Sequence, residues 1–482
     1  METLDAEKAE IMKAVELNQE KFWKISDAIW SYAELGLEEY KSSKLLADTL
    51  EEAGFTVDRG VAGMPTAFVA SWSHGTGKPV VGFLAEYDAL PMLSQKAGSP
   101  KQDPLVPGAP GHGCGHNTSG AMQALTVTTM QEAVRKKGLN CTLKYFGSPA
   151  EEMLISRPYM IRAGLFKDVD VVIDCHLWAD FSVPFGSECA GMYSFVVTFK
   201  GKTAHSGANP WLGRSATDAV ELMHAATERM REHTPMTERT HWVTLEGGEA
   251  PNVVPDRATT WYFIRDLDEH LESRFNWVMD CAKGAALMTQ TTYEVKVLTA
   301  IHQENSSKEL AELIYENMKA VGKPEYTEEE EAFARAIQEN TESPIKGLDY
   351  PIEISDSSKK PYMGGSTDVA DVTLIVPCAT VRYPGRVPGS YPGHHWAIVT
   401  SGISSIAHKG ITAGAKAAAG TTYDLLTKPE VLLHIRTKFE EYSKEHPYKT
   451  FLPDNAEPPL GWNTSLMEKY RGEMAKFYIN HD

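Results

Sequence analysis

Short apolar runs alternate with helical patterns along much of the chain. Three such runs, at 80–84, 141–146 and 171–173, are each bounded by Gly, Pro or Asp. Apolar residues recur at helical spacing around 23–30 and 45–50, and the first eighty residues are predicted to be helical. Strands that are separated by helices indicate a mainly parallel α/β sheet.

The pattern changes near Gly191. Two β-rich segments, 192–200 and 258–265, flank two helical segments at 216–233 and 269–289. This spacing predicts a β-α-β-β-α-β order, which suits a ferredoxin-like α+β domain. After residue 300 the sequence predicts an acidic helix, one more buried strand and an Ala-rich helix, at 327–340, 372–381 and 411–426.

We therefore expect an α/β protein with two domains. The larger domain is discontinuous, at 1–190 and 300–482, and has a central mixed, mainly parallel sheet with helices on both faces. The smaller α+β domain is inserted at 191–299. The length of 482 residues is ample for two such domains.

The charge balance narrows the choice of partners. The chain has 47 Lys and Arg against 65 Asp and Glu, a net charge of −18. This charge disfavours nucleic acid and anionic membrane surfaces as partners, and an anionic substrate would need local positive charge. The apolar runs are far shorter than the roughly 20 residues of a membrane helix. The six cysteines lack close pairing and no leader is recognised, which predicts a reduced, cytoplasmic protein.

Potential ligands follow the ends of the predicted strands. In open α/β sheets, functional groups gather at the carboxyl ends of the strands. Four strand ends here are followed by acidic side chains or histidines, namely Asp88, the pair Glu151 and Glu152, His176, and the pair His394 and His395. These side chains are typical of a metal site that the fold assembles.

A glycine-rich motif at 111–116 supplies further candidates. His112, Cys114 and His116 alternate with glycines, and in extended backbone alternate side chains point to one side. Imidazole and thiolate together suit zinc or manganese. A turn with incidental histidines and a redox thiol are the alternatives. The ligands at the strand ends favour the metal site.

Glu151 and Glu152 form an adjacent pair of carboxylates. Burying both without a cation would be costly because they repel each other. Neighbouring side chains in extended backbone do not both point at one metal. One glutamate is therefore predicted to bind metal and the other to act as a general base toward water.

Several motifs in the chain resemble those of the M20 metallopeptidase family, in its amidohydrolase branch. They are Glu-Tyr-Asp-Ala-Leu-Pro at 86–91, the motif at 111–116, Pro-Ala-Glu-Glu at 149–152, Gly-Lys-Thr-Ala-His at 201–205 and Asn-Val-Val-Pro at 252–255. The resemblance runs in order from about residue 27 to residue 426. Each motif is weak alone, but the combination is specific.

The resemblance implies two divalent cations, Mn²⁺ or Zn²⁺, and a role for each candidate residue. The implied metal ligands are Cys114, His116, Glu152, His176 and His394, although the sequence leaves His395 open as an alternative to His394. Glu151 is the implied base, and Asp88 is implied to orient a ligand.

His205 on the inserted lid and dimerisation domain is implied to act near the scissile carbonyl, often across a dimer interface. Asn252 and Arg265 are implied to hold the carbonyl and carboxylate of the substrate.

The implied reaction is hydrolysis of an N-acyl amino acid with a free carboxylate, such as p-aminobenzoyl-glutamate. Auxin–amino acid conjugates and dipeptides are alternative small-molecule substrates. The resemblance also implies a homodimer, possibly with a homologous second subunit. Two hypotheses belong to other functional classes. In the first, the chain is a non-catalytic partner subunit. In the second, it is an enzyme without metal in which Cys114 is the nucleophile.

Overall fold

The computed structural model describes residues 6–187, 189–359 and 364–481. The start of the chain, where we recognised no leader, lies in part outside these residues. Two sheets organise the described part of the chain, one of eight strands and one of four. Their residue ranges alternate with helices over most of the sequence, as an α/β protein requires.

The larger sheet is mixed and places its parallel strands at the centre. Its strands are β1 Thr56–Arg59, β2 Phe68–His74, β3 Val80–Ala85, β4 Cys141–Gly147, β5 Val171–Trp178, β6 Phe181–Phe185, β11 Ile352–Asp356 and β12 Cys378–Pro384. They lie in the order β1-β2-β4-β3-β5-β12-β6-β11. The four neighbours β4, β3, β5 and β12 are all parallel. Every residue of β3 is buried, as its uninterrupted apolar sequence predicts.

The smaller sheet is antiparallel and consists of β7 Gly191–Lys200, β8 Arg239–Glu246, β9 Arg257–Asp266 and β10 Thr292–Ile301. Its order is β10-β7-β9-β8, and helices α5 Ala216–Met230 and α6 Asp268–Thr289 connect its strands. The resulting β-α-β-β-α-β unit is the ferredoxin-like arrangement that the sequence predicts.

Helices cover both faces of the larger sheet, as expected. The remaining helices are α1 Ala6–Tyr32, α2 Tyr40–Glu52, α3 His116–Lys137, α4 Ser156–Arg162, α7 Lys308–Val321, α8 Glu328–Asn340, α9 Val369–Thr373, α10 Trp396–Ser401, α11 Ser405–Thr427, α12 Pro429–Glu445 and α13 Thr464–Met474. The main core contains residues of α1, α3, α7 and α11, while residues of α4 and α9 belong to the core on the opposite face. Among the described helices, none has a long enough apolar stretch to cross a bilayer.

Three local expectations are wrong. The first eighty residues are not all helical, because β1 and β2 form an antiparallel edge pair there. The segment 372–381 is not one strand but the end of α9 followed by β12. Pro377 separates the two, since proline lacks the N–H that a helix or a strand ladder needs. Strand β5 also extends beyond residue 173, so that His176 lies within the strand.

Candidate metal centre

A cavity of about 350 Å³ opens at the carboxyl ends of the four central parallel strands. Most of the candidate side chains line it, namely Cys114, Glu151, Glu152, His176, Arg265 and His394. His116 lies against these residues and is fully buried. The strand ends therefore bring together side chains that are up to 280 residues apart, from 114 to 394.

The glycine-rich loop does not run in extended backbone as expected. Gly115 has a φ of 89° and caps α3, so that His116 is the first residue of that helix. A Cβ atom at Gly115 would lie 2.5 Å from the side chain of Leu177. Any residue other than glycine would therefore require neighbouring atoms to move. His112 donates from Nε2 to the carbonyl of Ile29 at 3.0 Å. It anchors the loop to α1 and does not join Cys114 and His116.

The donor atoms form three overlapping groups in which all members lie within 4.8 Å of one another. The groups are Cys114 with His116 and His176, Cys114 with Glu152 and His394, and His116 with Glu151 and Glu152. Sγ of Cys114 lies 3.4 Å from Nε2 of His176. Nε2 of His394 lies 3.2 Å from a carboxylate oxygen of Glu152. Two neighbouring cations would share such a donor set.

Asp88 is hydrogen-bonded to two of the candidate ligands, His116 and Glu152. Nδ1 of His116 donates to Oδ1 of Asp88 at 2.9 Å, and the backbone N–H of Glu152 donates to Oδ2 at 2.9 Å. Because Nδ1 of His116 is held by Asp88, Nε2 is the ring nitrogen that faces Glu151 and the rest of the donor cluster. The orienting role of Asp88 stays a prediction, which these two hydrogen bonds support.

Two observations test whether divalent cations fit this cluster. Oε1 of Glu152 and Nε2 of His116 are buried and lack hydrogen-bond partners within the described residues. Burial also raises the pKa of Glu151 well above its ordinary value, and raises that of Glu152 to about 8. Bound cations would neutralise these carboxylates and satisfy the unpaired atoms. Thiolate, imidazole and carboxylate donors fit ions such as Zn²⁺ or Mn²⁺.

The surroundings of Cys114 disfavour its role as a metal-free nucleophile. Burial, followed by the nearby Glu152 carboxylate, raises the pKa of the Cys114 thiol to about 12. The nucleophilic form of cysteine is the thiolate, which this environment suppresses unless a cation is bound. The same thiolate is the form that binds metal.

Of the adjacent histidines, His394 and not His395 belongs to the donor cluster. His394 has a φ of 59°, and this backbone turn points its ring toward Glu152. His395 instead accepts from the backbone N–H of Ala397 and caps the short helix α10. Its ring stacks on Tyr391.

His205 and Asn252 lie together on the smaller domain, away from the cavity walls. His205 is bridged to Val253, and the carbonyl of Asn252 accepts from the N–H of Ser206 at 3.0 Å. Both side chains are exposed, and neither lines the cavity of its own chain. Nδ1 of His205 accepts from the N–H groups of Gly207 and Ala208, each at 3.1 Å. The neutral ring therefore carries its proton on Nε2, as a donor for an incoming group.

A buried ion cluster beneath the cavity was not predicted. Arg157 is fully buried and lies 3.0 Å from Glu86 on one side, while its other nitrogen pairs with Asp368. Asp368 also accepts from the backbone N–H of Arg157 at 3.0 Å. Glu86 reaches to within 3.3 Å of Nε2 of His116. Asp368 lies in the segment Gly-Ser-Thr-Asp-Val at 365–369.

Comparison with known proteins identifies the family. Residues 188–281 match the peptidase dimerisation domain of the M20 family. The chain is 35% identical over 474 residues to one of the subunits of p-aminobenzoyl-glutamate hydrolase from Escherichia coli K12, covering 92% of this chain and 97% of that protein. The chain belongs to the M20 metallopeptidase family. It is thus a member of a family of metal-dependent hydrolases, as the sequence motifs imply.

Two other similar proteins have lower sequence identity to this chain. The human Xaa-Arg dipeptidase is 29% identical over 440 residues, covering 87% of this chain and 89% of the dipeptidase. A dinuclear metal-binding M20 peptidase from Bacillus subtilis has a similar fold, with a TM-score of 0.55 and 18% identity over 85% of this chain and 99% of that one. This similarity of fold agrees with the α/β class predicted from the sequence.

Proposed function

We propose that this M20 protein hydrolyses the amide bond of an N-acyl amino acid that has a free carboxylate, with p-aminobenzoyl-glutamate as the first candidate. The observation that carries the proposal is the convergence of one thiol, three imidazoles and two carboxylates on a single cavity. The 35% identity to a chain of a p-aminobenzoyl-glutamate hydrolase supports the choice of substrate.

Five side chains are proposed to hold two divalent cations, Mn²⁺ or Zn²⁺. They are Cys114, His116, Glu152, His176 and His394, whose donor atoms form overlapping groups. When bound, the cations supply Lewis acidity that polarises the amide carbonyl and favours loss of a proton from water. Asp88 keeps His116 and Glu152 in position through its two hydrogen bonds.

Glu151 is proposed to move the proton. Its carboxylate accepts a proton from the attacking water while oxygen bonds to the amide carbon, and it returns the proton to the amine nitrogen as the C–N bond breaks. The products are a carboxylic acid and an amine. Arg265, which lines the same cavity from β9, is proposed to hold the free carboxylate of the substrate.

His205 and Asn252 are proposed to act on the cavity of a second copy of the chain. The outward-facing Nε2–H of His205 suits stabilisation of the negative charge that develops on the carbonyl oxygen. Asn252, on the adjacent segment, is proposed to hold the same carbonyl group. The matched dimerisation domain supports a homodimer in which each copy completes the site of the other.

A hydrolysis panel tests the proposed function. The metal-reconstituted chain is assayed on p-aminobenzoyl-L-glutamate, an auxin–aspartate conjugate and a set of dipeptides, with Glu151→Gln prepared in parallel to exclude a contaminating hydrolase. We expect turnover of the glutamate conjugate, and we expect a chelator to abolish it. Bound metal without turnover of any amide would contradict the proposal. That result would favour a non-catalytic partner subunit. Such a role is compatible with the similarity to subunits B and A of p-aminobenzoyl-glutamate hydrolase, an enzyme with more than one kind of chain.

Mixing two inactive variants tests the role of His205 across the dimer. His205→Ala and Glu151→Gln are mixed under conditions that allow the chains to exchange between dimers. Random exchange would place one intact site in half of the dimers, so we expect about one quarter of the wild-type rate per chain. In the control mixture, the double variant Glu151→Gln/His205→Ala takes the place of the His205→Ala variant. No dimer in this mixture has an intact site. Exchange without recovered activity would show that His205 does not act across the interface.

A further inference from the structure

The chain passes between the larger and the smaller domain twice, and the two passages lie side by side. Gly186 lies shortly before β7, and Ser306 lies shortly after β10. The N–H of Gly186 donates to the carbonyl of Ser306 at 2.9 Å, and the N–H of Ser306 donates to the carbonyl of Gly186 at 3.0 Å. A narrow connection of this kind is where one domain can turn against the other. His302, the first residue after β10, lies at this connection.

The ring of His302 contacts an acceptor with each of its nitrogens. Nδ1 donates to a carboxylate oxygen of Asp268 at 2.7 Å, and Nε2 donates to the backbone carbonyl of Lys449 at 2.8 Å. A carboxylate and a carbonyl both only accept hydrogen bonds, whereas a neutral imidazole has a proton on one nitrogen only. The ring therefore satisfies both contacts only as the imidazolium cation.

Acidic groups from both domains surround this ring. Asp268 begins α6 in the smaller domain, whereas Asp371 lies on α9 in the larger domain and accepts from the backbone N–H of His302 at 2.8 Å. Burial raises the pKa of Asp371 to about 6, and the hydroxyl of Tyr448 donates to its other oxygen at 2.7 Å. Burial opposes the charge on the ring, but the hydrogen bond to Asp268 and the two aspartate charges outweigh it and raise the pKa of His302.

Lys449 belongs to the segment 446–463 between α12 and α13, which we call the strap. The strap contacts the smaller domain at two places. The ring of Phe451 stacks on the imidazole with the ring centres 4.0 Å apart, and it also packs against the core of the smaller domain. Further along, the indole of Trp462 contacts that of Trp261 on β9, with the ring centres 4.9 Å apart.

The strap is also held by the larger domain. Arg162, at the end of α4, donates to the carbonyls of Pro453 and Ala456 at 3.2 and 2.6 Å. The side-chain amide of Asn463 donates to the carbonyl of Gly36 at 2.9 Å. The strap thus connects the two domains independently of the two chain passages. The imidazole is the group at which the strap, α6 and α9 meet.

We propose that the strap is pH-dependent: the protonated ring of His302 holds it across the two domains, and loss of one ring proton to solvent releases it. In the neutral ring one nitrogen is an acceptor, which cannot bond to a carbonyl or a carboxylate. The carboxylate of Asp268 is the stronger acceptor, so Nδ1 keeps its proton and the contact with Lys449 is lost. Arg265 lines the cavity and lies three residues before Asp268, so the strap also restrains the strand end that carries Arg265.

The direction of the pH dependence follows from the raised pKa of His302. The ordinary pKa of the ring is 6.5, and that of the folded protein is higher. The link to the strap is therefore complete below pH 6.5 and is lost as the pH rises through the raised pKa. This inference goes beyond the proposed reaction and does not depend on its substrate.

Trypsin measures the release of the strap directly. It cleaves after lysine, and the side chain of Lys449 is exposed while its carbonyl is the group that His302 holds. A serine protease must take this carbonyl into its own oxyanion hole, so the bond 449–450 is cut after release. Cleavage of this bond in the full-length protein is followed by mass spectrometry between about pH 6 and pH 9. The rate is divided by that of a short peptide of the same sequence, and we expect the ratio to be low below pH 6.5 and to rise above it.

Three variants separate a pH-dependent link from simple loosening of the fold. His302→Gln should be cut at this bond about 10-fold faster than the wild type below pH 6.5, without pH dependence, because the charge-assisted hydrogen bond is lost. Asp268→Asn keeps the ring but removes a charge that raises its pKa, so release should shift to lower pH. His408→Gln is the matched control and should change nothing. His408 also pairs with an aspartate, Asp27 at 2.8 Å, and stacks on an aromatic ring, that of Trp23, but within the larger domain.

The proposal is wrong if the normalised rate of the wild type does not change with pH, or if His302→Gln is as resistant as the wild type. Should His302→Gln fail to fold, the wild-type profile and its shift in Asp268→Asn still decide the question. No turnover is measured in this experiment. A protein without hydrolase activity but with the expected cleavage profile would contradict the proposed function alone.

Discussion

Replacement of Glu151 by glutamine is expected to lower kcat by about 10³-fold while the content of bound metal stays unchanged. Glu151 lies in the cavity within 3.8 Å of the His116 ring, and its neighbour Glu152, not Glu151, contacts His394. The amide of glutamine keeps the size of the side chain but accepts no proton from water. Single-turnover kinetics and metal analysis of the dialysed protein measure the two effects separately.

The adjacent glutamate provides the matched control. Glu152→Gln alters a carboxylate that contacts His394 and forms one donor group with His394 and Cys114. We therefore expect this variant to lose metal as well as activity. If Glu151→Gln instead lost metal, or kept a near wild-type rate, the assignment of base and ligand within this pair would be wrong.

The second large effect concerns stability. We expect Arg157→Met to lower the free energy of unfolding by about 3–5 kcal/mol, because Glu86 and Asp368 would be left as buried charges without a counter-ion. Urea unfolding of the metal-free protein, followed by circular dichroism, measures the change. Metal is removed in order to separate the ion cluster from the effects of metal binding.

An exposed arginine with the same number of partners serves as the control. Arg59 also contacts two carboxylates, Asp48 at 2.8 Å and Glu51 at 2.9 Å, but its side chain is 40% exposed. Arg59→Met is expected to cost less than about 1 kcal/mol, since solvent screens such pairs. Adding Glu86→Gln to Arg157→Met should recover part of the loss. Equal effects of Arg157→Met and Arg59→Met would contradict the importance of burial.

Most of the fold could be predicted from local patterns. The apolar run at 80–84 and the β-rich segment at 192–200 each identify a strand, and both strands are mostly buried. The pattern fails at 56–74, where β1 is short and largely exposed. It also fails at 372–381, where a helix end and a strand form one apolar run that only Pro377 interrupts.

The sequence predicts the candidate residues whose position depends on a strand end. It does not predict those whose position depends on the local backbone conformation or on pairing with a residue far away in the sequence. Glu151, Glu152 and His176 follow from the rule that parallel strands end at one edge. The alternation at 111–116 does not correspond to extended backbone, since glycine allows the turn that Gly115 makes. Arg157 resembles a surface residue in sequence, and its partner Glu86 lies 71 positions earlier.

The spread of the candidate ligands along the sequence has a consequence for synthesis on the ribosome. Cys114, His116, Glu152 and His176 precede the smaller domain, whereas His394 is translated only after that whole domain has emerged. An unfinished chain exposes a thiol and two imidazoles without the element that completes their surroundings. With the proposed ligand set, the complete metal site forms only late in translation, after the smaller domain and residue 394 have been synthesised.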